Sequence, residues 1–248
     1  MLEVLRPTQP LRLHISFTRS ILGASQVILP QQATIKGESS TRVSFVGAGS
    51  AGVYSAPIWP IWRNGHAYIA IDFGMQPASF PNVKTGLMRL YNREFAIDHR
   101  KVIGFGRDVS AISEKEYEEL RRPRRVENFP SGLLSDPGLE YAGIYEDGWV
   151  SDESYVKLAA PQKNESVIVE GMIPAIASLA NGRLKMIVQV NDGPTHEQTL
   201  KPGSFRIRIA ANEPAQQTVV HMRFSERIPL PGGDGRLVSA LLRSIGLQ

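Results

Sequence analysis

Residues 43–52 read VSFVGAGSAG, placing Gly47-x-Gly49-x-x-Gly52 directly after a strand-like run, with Asp72 twenty residues beyond Gly52. This is the spacing of a dinucleotide-binding fingerprint, in which glycines let the backbone approach a pyrophosphate and the acid holds a ribose. The fingerprint needs a helix opening at the third glycine, whose N-terminal amides hold the phosphates. Here that helix would contain Pro57 and Pro60, and a proline inside a helix costs ~3 kcal/mol or more. The segment therefore reads as an extended, proline-rich loop. Ala48-Gly49-Ser50-Ala51-Gly52 is likewise a relaxed nucleophile elbow, and it too requires the missing helix.

Other chemistry-bearing residues are scattered. The histidines at 14, 66, 99, 196 and 221 include no pair at i, i+3 or i, i+4, and the chain has no cysteine. Disulfides, thiolate metal sites and cysteine nucleophiles are thereby excluded. Asp147, Asp152 and Glu153 form an acidic patch with the oxygen chemistry of a calcium site, although a solvated turn is the commoner explanation. No catalytic set, cofactor site or metal site emerges. Two aromatic clusters remain: Tyr54, Trp59 and Trp62 among prolines, and Tyr141, Tyr145 and Trp149 within EYAGIYEDGW. Aromatic faces beside carboxylates can stack on a sugar ring while the acids accept its hydroxyls; the alternative is that they fill the core. The candidate ligand-binding residues are Trp149, Tyr145 and Asp147, then Trp59 and Trp62.

The elements that must position these residues are strands. Leu11, Leu13, Ile15 and Phe17 alternate with polar residues, and Val43 with Phe45 and the run His66–Phe73 continue the pattern. Farther on, Val167–Val169, Leu184–Val190, Phe205–Ile209 and Val220–Phe224 read as strands, with Asn191-Asp192-Gly193 as a turn. Glycine (22) and proline (17) punctuate the whole 248-residue chain, as in a sandwich, barrel or jelly roll. One short helix is expected: Ser113 and Glu116 form a capping box, and the helix ends before Pro123.

The ends of the two halves match. Asp98-x-Arg100-x-Val102-x4-Arg107-x-Val109 recurs as Asp234-x-Arg236-x-Val238-x4-Arg243-x-Ile245 at a constant offset of 136 residues. A period this long implies duplicated domains rather than a solenoid. Each copy reads as a polar turn followed by a closing strand, the Asp and Arg pairing to hold the turn. The expected architecture is all-β: a sandwich over 1–112, a helix and linker over 113–132, and a similar jelly-roll-like sandwich over 133–248.

Charge and hydropathy bound the partners. The formal net charge is +4, far from the dense basic stripe of a nucleic-acid binder, and the run Arg121-Arg122-Pro123-Arg124-Arg125 reads as a solvated linker. No run approaches the ~18 apolar residues of a membrane span. No signal peptide is visible, which favours the cytoplasm over an exported location.

The segment Gly143-Ile-Tyr145-Glu-Asp147-Gly148-Trp149, with the closing Asp234-Gly-Arg236…Ser244-Ile245-Gly246-Leu247, resembles the small β-sandwich domains attached to bacterial glycosyltransferases and other cell-surface polysaccharide proteins. The resemblance covers about residues 140–248; the first half lacks the Gly-x-Tyr…Gly-Trp opening. It implies a non-catalytic, carbohydrate-associated accessory protein of envelope polysaccharide assembly, with a glycan or a glycosyltransferase as partner. The alternatives are a module that docks onto a partner enzyme, and a nucleotide-dependent or hydrolytic enzyme built on residues 47–52.

Overall fold

The computed structural model describes residues 2–4, 7–18, 27–28, 31–47, 49–73, 102–103, 105–175, 184–211, 215–230 and 236–248. The fold is an all-β sandwich architecture. The first half contains β1 (Leu2–Val4), β2 (Leu11–Thr18), β3 (Val27–Ile28), β4 (Gln32–Lys36), β5 (Ser40–Ser44), β6 (Ser50–Tyr54), β7 (Ile61–Arg63), β8 (His66–Asp72), β9 (Val102–Ile103) and β10 (Phe105–Ser113). Next comes α1 (Glu114–Glu118). The second half follows with β11 (Arg125–Glu127), β12 (Glu140–Ile144), β13 (Trp149–Leu158), β14 (Ser166–Ile173), β15 (Leu184–Val190), β16 (Thr195–Leu200), β17 (Gly203–Ala210), β18 (Thr218–Phe224), β19 (Ile228–Pro229), β20 (Leu237–Val238) and β21 (Ala240–Leu247).

In the first half, the sheet β1-β8-β4-β5 and the strands β10-β2-β6 share one apolar core. The alternation along β2 decides the layering: Leu11, Leu13, Ile15 and Phe17 are buried together against Ala33, Ile35, Val43 and Ile69. In the second half, β12-β13-β18-β15-β16 and β11-β21-β14-β17 enclose a larger core. Val156, Met186, Val188, Val220 and Met222 come from one layer, and Val167, Val169, Ile207 and Ile245 from the other. β6 pairs with β12, so a single sheet runs from one half into the other.

Seven strands of the first half have counterparts in the order of the second. The order β1-β8-β4-β5 corresponds to β13-β18-β15-β16, and β10-β2-β6 to β21-β14-β17. Register agrees too: Val109↔Ile15↔Val53 in the first half is matched by Ile245↔Val169↔Ile207 in the second. In the other layer, Ile71↔Ile35↔Thr41 is matched by Met222↔Val188↔His196. Both closing strands carry an irregularity at the same place, skipping Arg107 in β10 and Arg243 in β21. A bulge inserts one unpaired residue and bends its strand.

α1 is the helix expected from the capping box: the Ser113 hydroxyl accepts from the Glu116 amide at 3.2 Å, and Glu116 Oε2 accepts from the Ser113 amide at 2.7 Å. Of the stretch expected to be linker, residues 125–127 instead form β11, paired with β21. Asp98, Arg100 and Asp234 of the repeat, and His99, lie outside the described residues.

Candidate functional site

The glycine-rich segment is a strand. Ser50–Tyr54 forms β6, fully buried, between β2 and β12, so the helix that a dinucleotide site or nucleophile elbow requires is not there. The glycines serve sheet pairing. A methyl group at Gly49 would stand 2.5 Å from the Gly143 carbonyl carbon, and one at Gly143, whose φ is +77°, would stand 2.2 Å from the Glu153 carbonyl oxygen. Close backbone approach needs glycine as much as a phosphate does, which is why the motif resembled a cofactor loop.

Trp149, Tyr145 and Asp147 sit together at the turn between β12 and β13. The Tyr145 amide donates to the Trp149 carbonyl at 2.7 Å, and the Gly148 amide to the Tyr145 carbonyl at 2.9 Å. Tyr145 is only 2% exposed and belongs to the core. Its ring lies 5.0 Å beneath the Arg236 guanidinium. Asp147 accepts two hydrogen bonds from that guanidinium, at 2.9 and 2.8 Å. Trp149 is partly buried and packs on the same core. The turn is thus clamped to the residue just before β20, and Arg236 finds its carboxylate in Asp147.

The remaining acids of the patch point to different arginines. Asp152 pairs with Arg227 at 3.5 Å and accepts from the Ser151 hydroxyl at 2.7 Å; Glu153 pairs with Arg223 at 3.2 Å. Among the described residues no group of three His, Asp or Glu side chains converges to hold a metal ion.

Trp59 and Trp62 are presented differently. They are 41% and 43% exposed, the large apolar side chains left open to solvent among the described residues. Their backbone is fixed on both sides. Ile58 exchanges hydrogen bonds of 2.9 Å with Leu11, the Trp59 carbonyl accepts from the Glu38 amide at 2.8 Å, and Trp62 pairs with Ala67 across β7 and β8. Ile58 and Pro60, their neighbours in the chain, are buried. Trp59 and Trp62 stand three residues apart in the chain, with exposed Glu38 and Arg63 as their charged neighbours along the chain and across the backbone hydrogen bonds.

A polar cluster that no local spacing announces lies where the two halves meet. Glu140, 5% exposed, accepts from the Tyr117 hydroxyl at 3.2 Å, pairs with Lys157 and is hydrogen-bonded to Tyr155. Tyr54 stacks on His14 at 4.6 Å, meets Tyr117 edge-on at 5.0 Å, and donates to the Pro137 carbonyl at 2.9 Å. Arg12 lies 4.2 Å over the Tyr117 ring and grips Glu114 through two hydrogen bonds of 2.6 and 2.7 Å. Burial, reinforced by the Glu140 charge, pushes the Tyr54 hydroxyl up to about 12 and raises that of Tyr155 well above the ordinary tyrosine range. Both phenols stay protonated near neutrality and act as donors. The cluster pins α1, β2, β6, β12 and β13 together.

His66 pairs with Glu3 at 2.5 Å, and burial lowers the pKa of His221, which lies 5.6 Å from the Tyr155 ring. No helix among the described residues is long and apolar enough to cross a membrane. Comparison of the sequence with protein-family models and with curated proteins finds no match.

Proposed function

We propose that this protein is a non-catalytic, carbohydrate-associated accessory protein built from a duplicated β-sandwich. Its setting, on the resemblance of residues 140–248, is bacterial envelope polysaccharide assembly, beside a glycosyltransferase. The observation that carries the reading is the exposure of Trp59 and Trp62 on a backbone held at both ends. On a backbone held in this way, only the two side-chain torsions of each indole remain to be ordered when a pyranose ring stacks on it. Glu38 and Arg63 supply acceptor and donor groups for sugar hydroxyls. Of the candidate residues, Tyr145 and Asp147 are committed to the Arg236 clamp, so the ligand face moves to the first half.

The test is a glycan-array screen of the whole chain, followed by calorimetry on any hit, with Trp59→Ala and Trp62→Ala alongside. Binding that falls at least about tenfold in either variant, in a protein that melts like the parent, supports the reading. Binding unchanged by both, or no binding to any glycan of the array, overturns it.

A further inference from the structure

β12 and β13 turn opposite faces to different cores. Tyr141 and Ile144 of β12 are buried in the core of the second half, whereas Ala142 between them is fully buried in that of the first. On β13 the neighbours Val156 and Tyr155 divide in the same way, Val156 in the second core and Tyr155 packed against the first. Successive side chains of a strand point to opposite faces, so one ribbon of the second half also serves as a wall of the first.

The dependence is unequal. The first core takes in Ala142 and leans on Tyr155; Ser50, Ala51 and Gly52 of β6 pair with Ile144, Ala142 and Tyr141; and the Tyr54 hydroxyl reaches the Pro137 carbonyl at 2.9 Å. The larger second core draws its described members from Val126 to Leu247, and its own strands hold β12 and β13: β12 pairs with β13, and β13 with β18. Loss of the β6–β12 seam opens the first core along one wall. On the second half it uncovers one alanine, one tyrosine ring and one strand edge. Hydrophobic stabilisation follows the apolar area buried, so the loss falls on the half with the smaller core.

We propose that the seam along β12 is a conformational device: the first half opens as one unit when it lets go of β12, at a lower free energy than the second half, which stays folded. Cooperative units that open below the global limit coincide with such groups of strands. Trp59 and Trp62 are carried on the half that opens, anchored there through the Ile58–Leu11 and Trp59–Glu38 hydrogen bonds and the pairing of Trp62 with Ala67. Their arrangement therefore lasts only while the seam is closed. That consequence bears on the proposed glycan face, but the opening itself does not rest on the glycan reading.

The test is native-state hydrogen exchange of the whole chain over a series of low urea concentrations. It compares β2 and β8 with the strands in the same places of the second half, β14 and β18; each of the four lies between hydrogen-bonded neighbours. The amides of β2 and β8 should exchange at least about tenfold faster than those of β14 and β18, and should share one urea dependence. Ala142→Asp puts a charge into the first core from the β12 side of the seam. It should speed β2 and β8 by at least about a further tenfold and leave β14 and β18 unchanged. One common rate for all four strands, slower exchange in β2 and β8, or equal acceleration of all four by the variant overturns the proposal. The unmodified chain alone supplies the first comparison, so the outcome does not hang on the variant folding. No glycan enters the readout, so failure here and failure of the glycan reading are separately visible.

Discussion

Arg236 and Asp147 are joined by two parallel hydrogen bonds, 2.9 and 2.8 Å long, with the arginine side chain 9% and the aspartate 32% exposed. The pair ties the β12–β13 turn to the start of β20, and the guanidinium also roofs Tyr145. Removing one partner leaves the other partly buried and uncompensated, which costs more than the pair contributes. Arg236→Ala should lower unfolding stability by about 2 kcal/mol, and Asp147→Ala by somewhat less, since the carboxylate is the more exposed member. The double variant should cost less than the sum of the singles. Urea unfolding of the three variants checks this; strictly additive losses would show that the two side chains do not act as a unit.

The same contact engages the Asp147 carboxylate with Arg236, and packing sets what Trp149 is expected to do. Trp149 packs on the second core, whereas Trp59 is open to solvent. Trp149→Ala should destabilise by about 3 kcal/mol, the lower end for loss of a large aromatic because the site is only partly buried. Trp59→Ala should stay within about 1 kcal/mol of the parent. Thermal melts of the two variants decide the assignment: equal losses would return both tryptophans to a packing role.

Gly49 and Gly143 face each other where β6 meets β12, and both lack room for a side chain. Gly143→Ala combines a positive φ with a 2.2 Å clash on the Glu153 carbonyl oxygen. Its expected cost is about 3 kcal/mol or more, since overpacking and a left-handed conformation each contribute. Gly49→Ala should cost about 1–3 kcal/mol by pressing on the same ladder. Differential scanning calorimetry of both variants, with the sheet shared between the halves as the shared structural element, would test this; parent-like melting would mean that the strands shift apart at no cost.

How much of this was legible in the sequence follows from what each feature asks of residue type. Alternation made β2, β8, β15, β17 and β18 readable, because one buried face demands period two. Ser113 and Glu116 made α1 readable, because a cap is a local arrangement. The match between the halves was legible at 98–109 and 234–245, where the arginines skipped by both closing strands recur. Elsewhere its partners, Ile15 with Val169 or Val53 with Ile207, are interchangeable apolar residues that leave no signature. The glycine motif was ambiguous because strand crowding and phosphate binding select the same residue, and Pro57 and Pro60 decided against the phosphate. The Arg236–Asp147 pair spans 89 residues and the Tyr117–Glu140 bond spans 23, so no spacing rule connects them. Sequence alone paired Arg236 with Asp234, the nearest acid.

The junction between the halves carries a pH dependence whose sign follows from its tyrosines. The Tyr54 hydroxyl is held up to about 12, mainly by burial and then by the Glu140 carboxylate, and Tyr155 is shifted in the same direction. In the unfolded chain these phenols ionise near the ordinary value of about 10. Between about pH 10 and about 12 the unfolded chain therefore gives up protons that the folded chain keeps, so stability is full below that window and falls as pH rises through it. Urea midpoints should drop from about pH 9 to about pH 11.5, and the drop should be shallower in Tyr54→Phe, which has no proton to lose at that position. The Phe variant starts lower at about pH 8, because the hydrogen bond from Tyr54 to the Pro137 carbonyl is gone. Parallel curves for parent and variant would show that the alkaline loss arises elsewhere and that the Tyr54 hydroxyl is free to ionise in the folded protein.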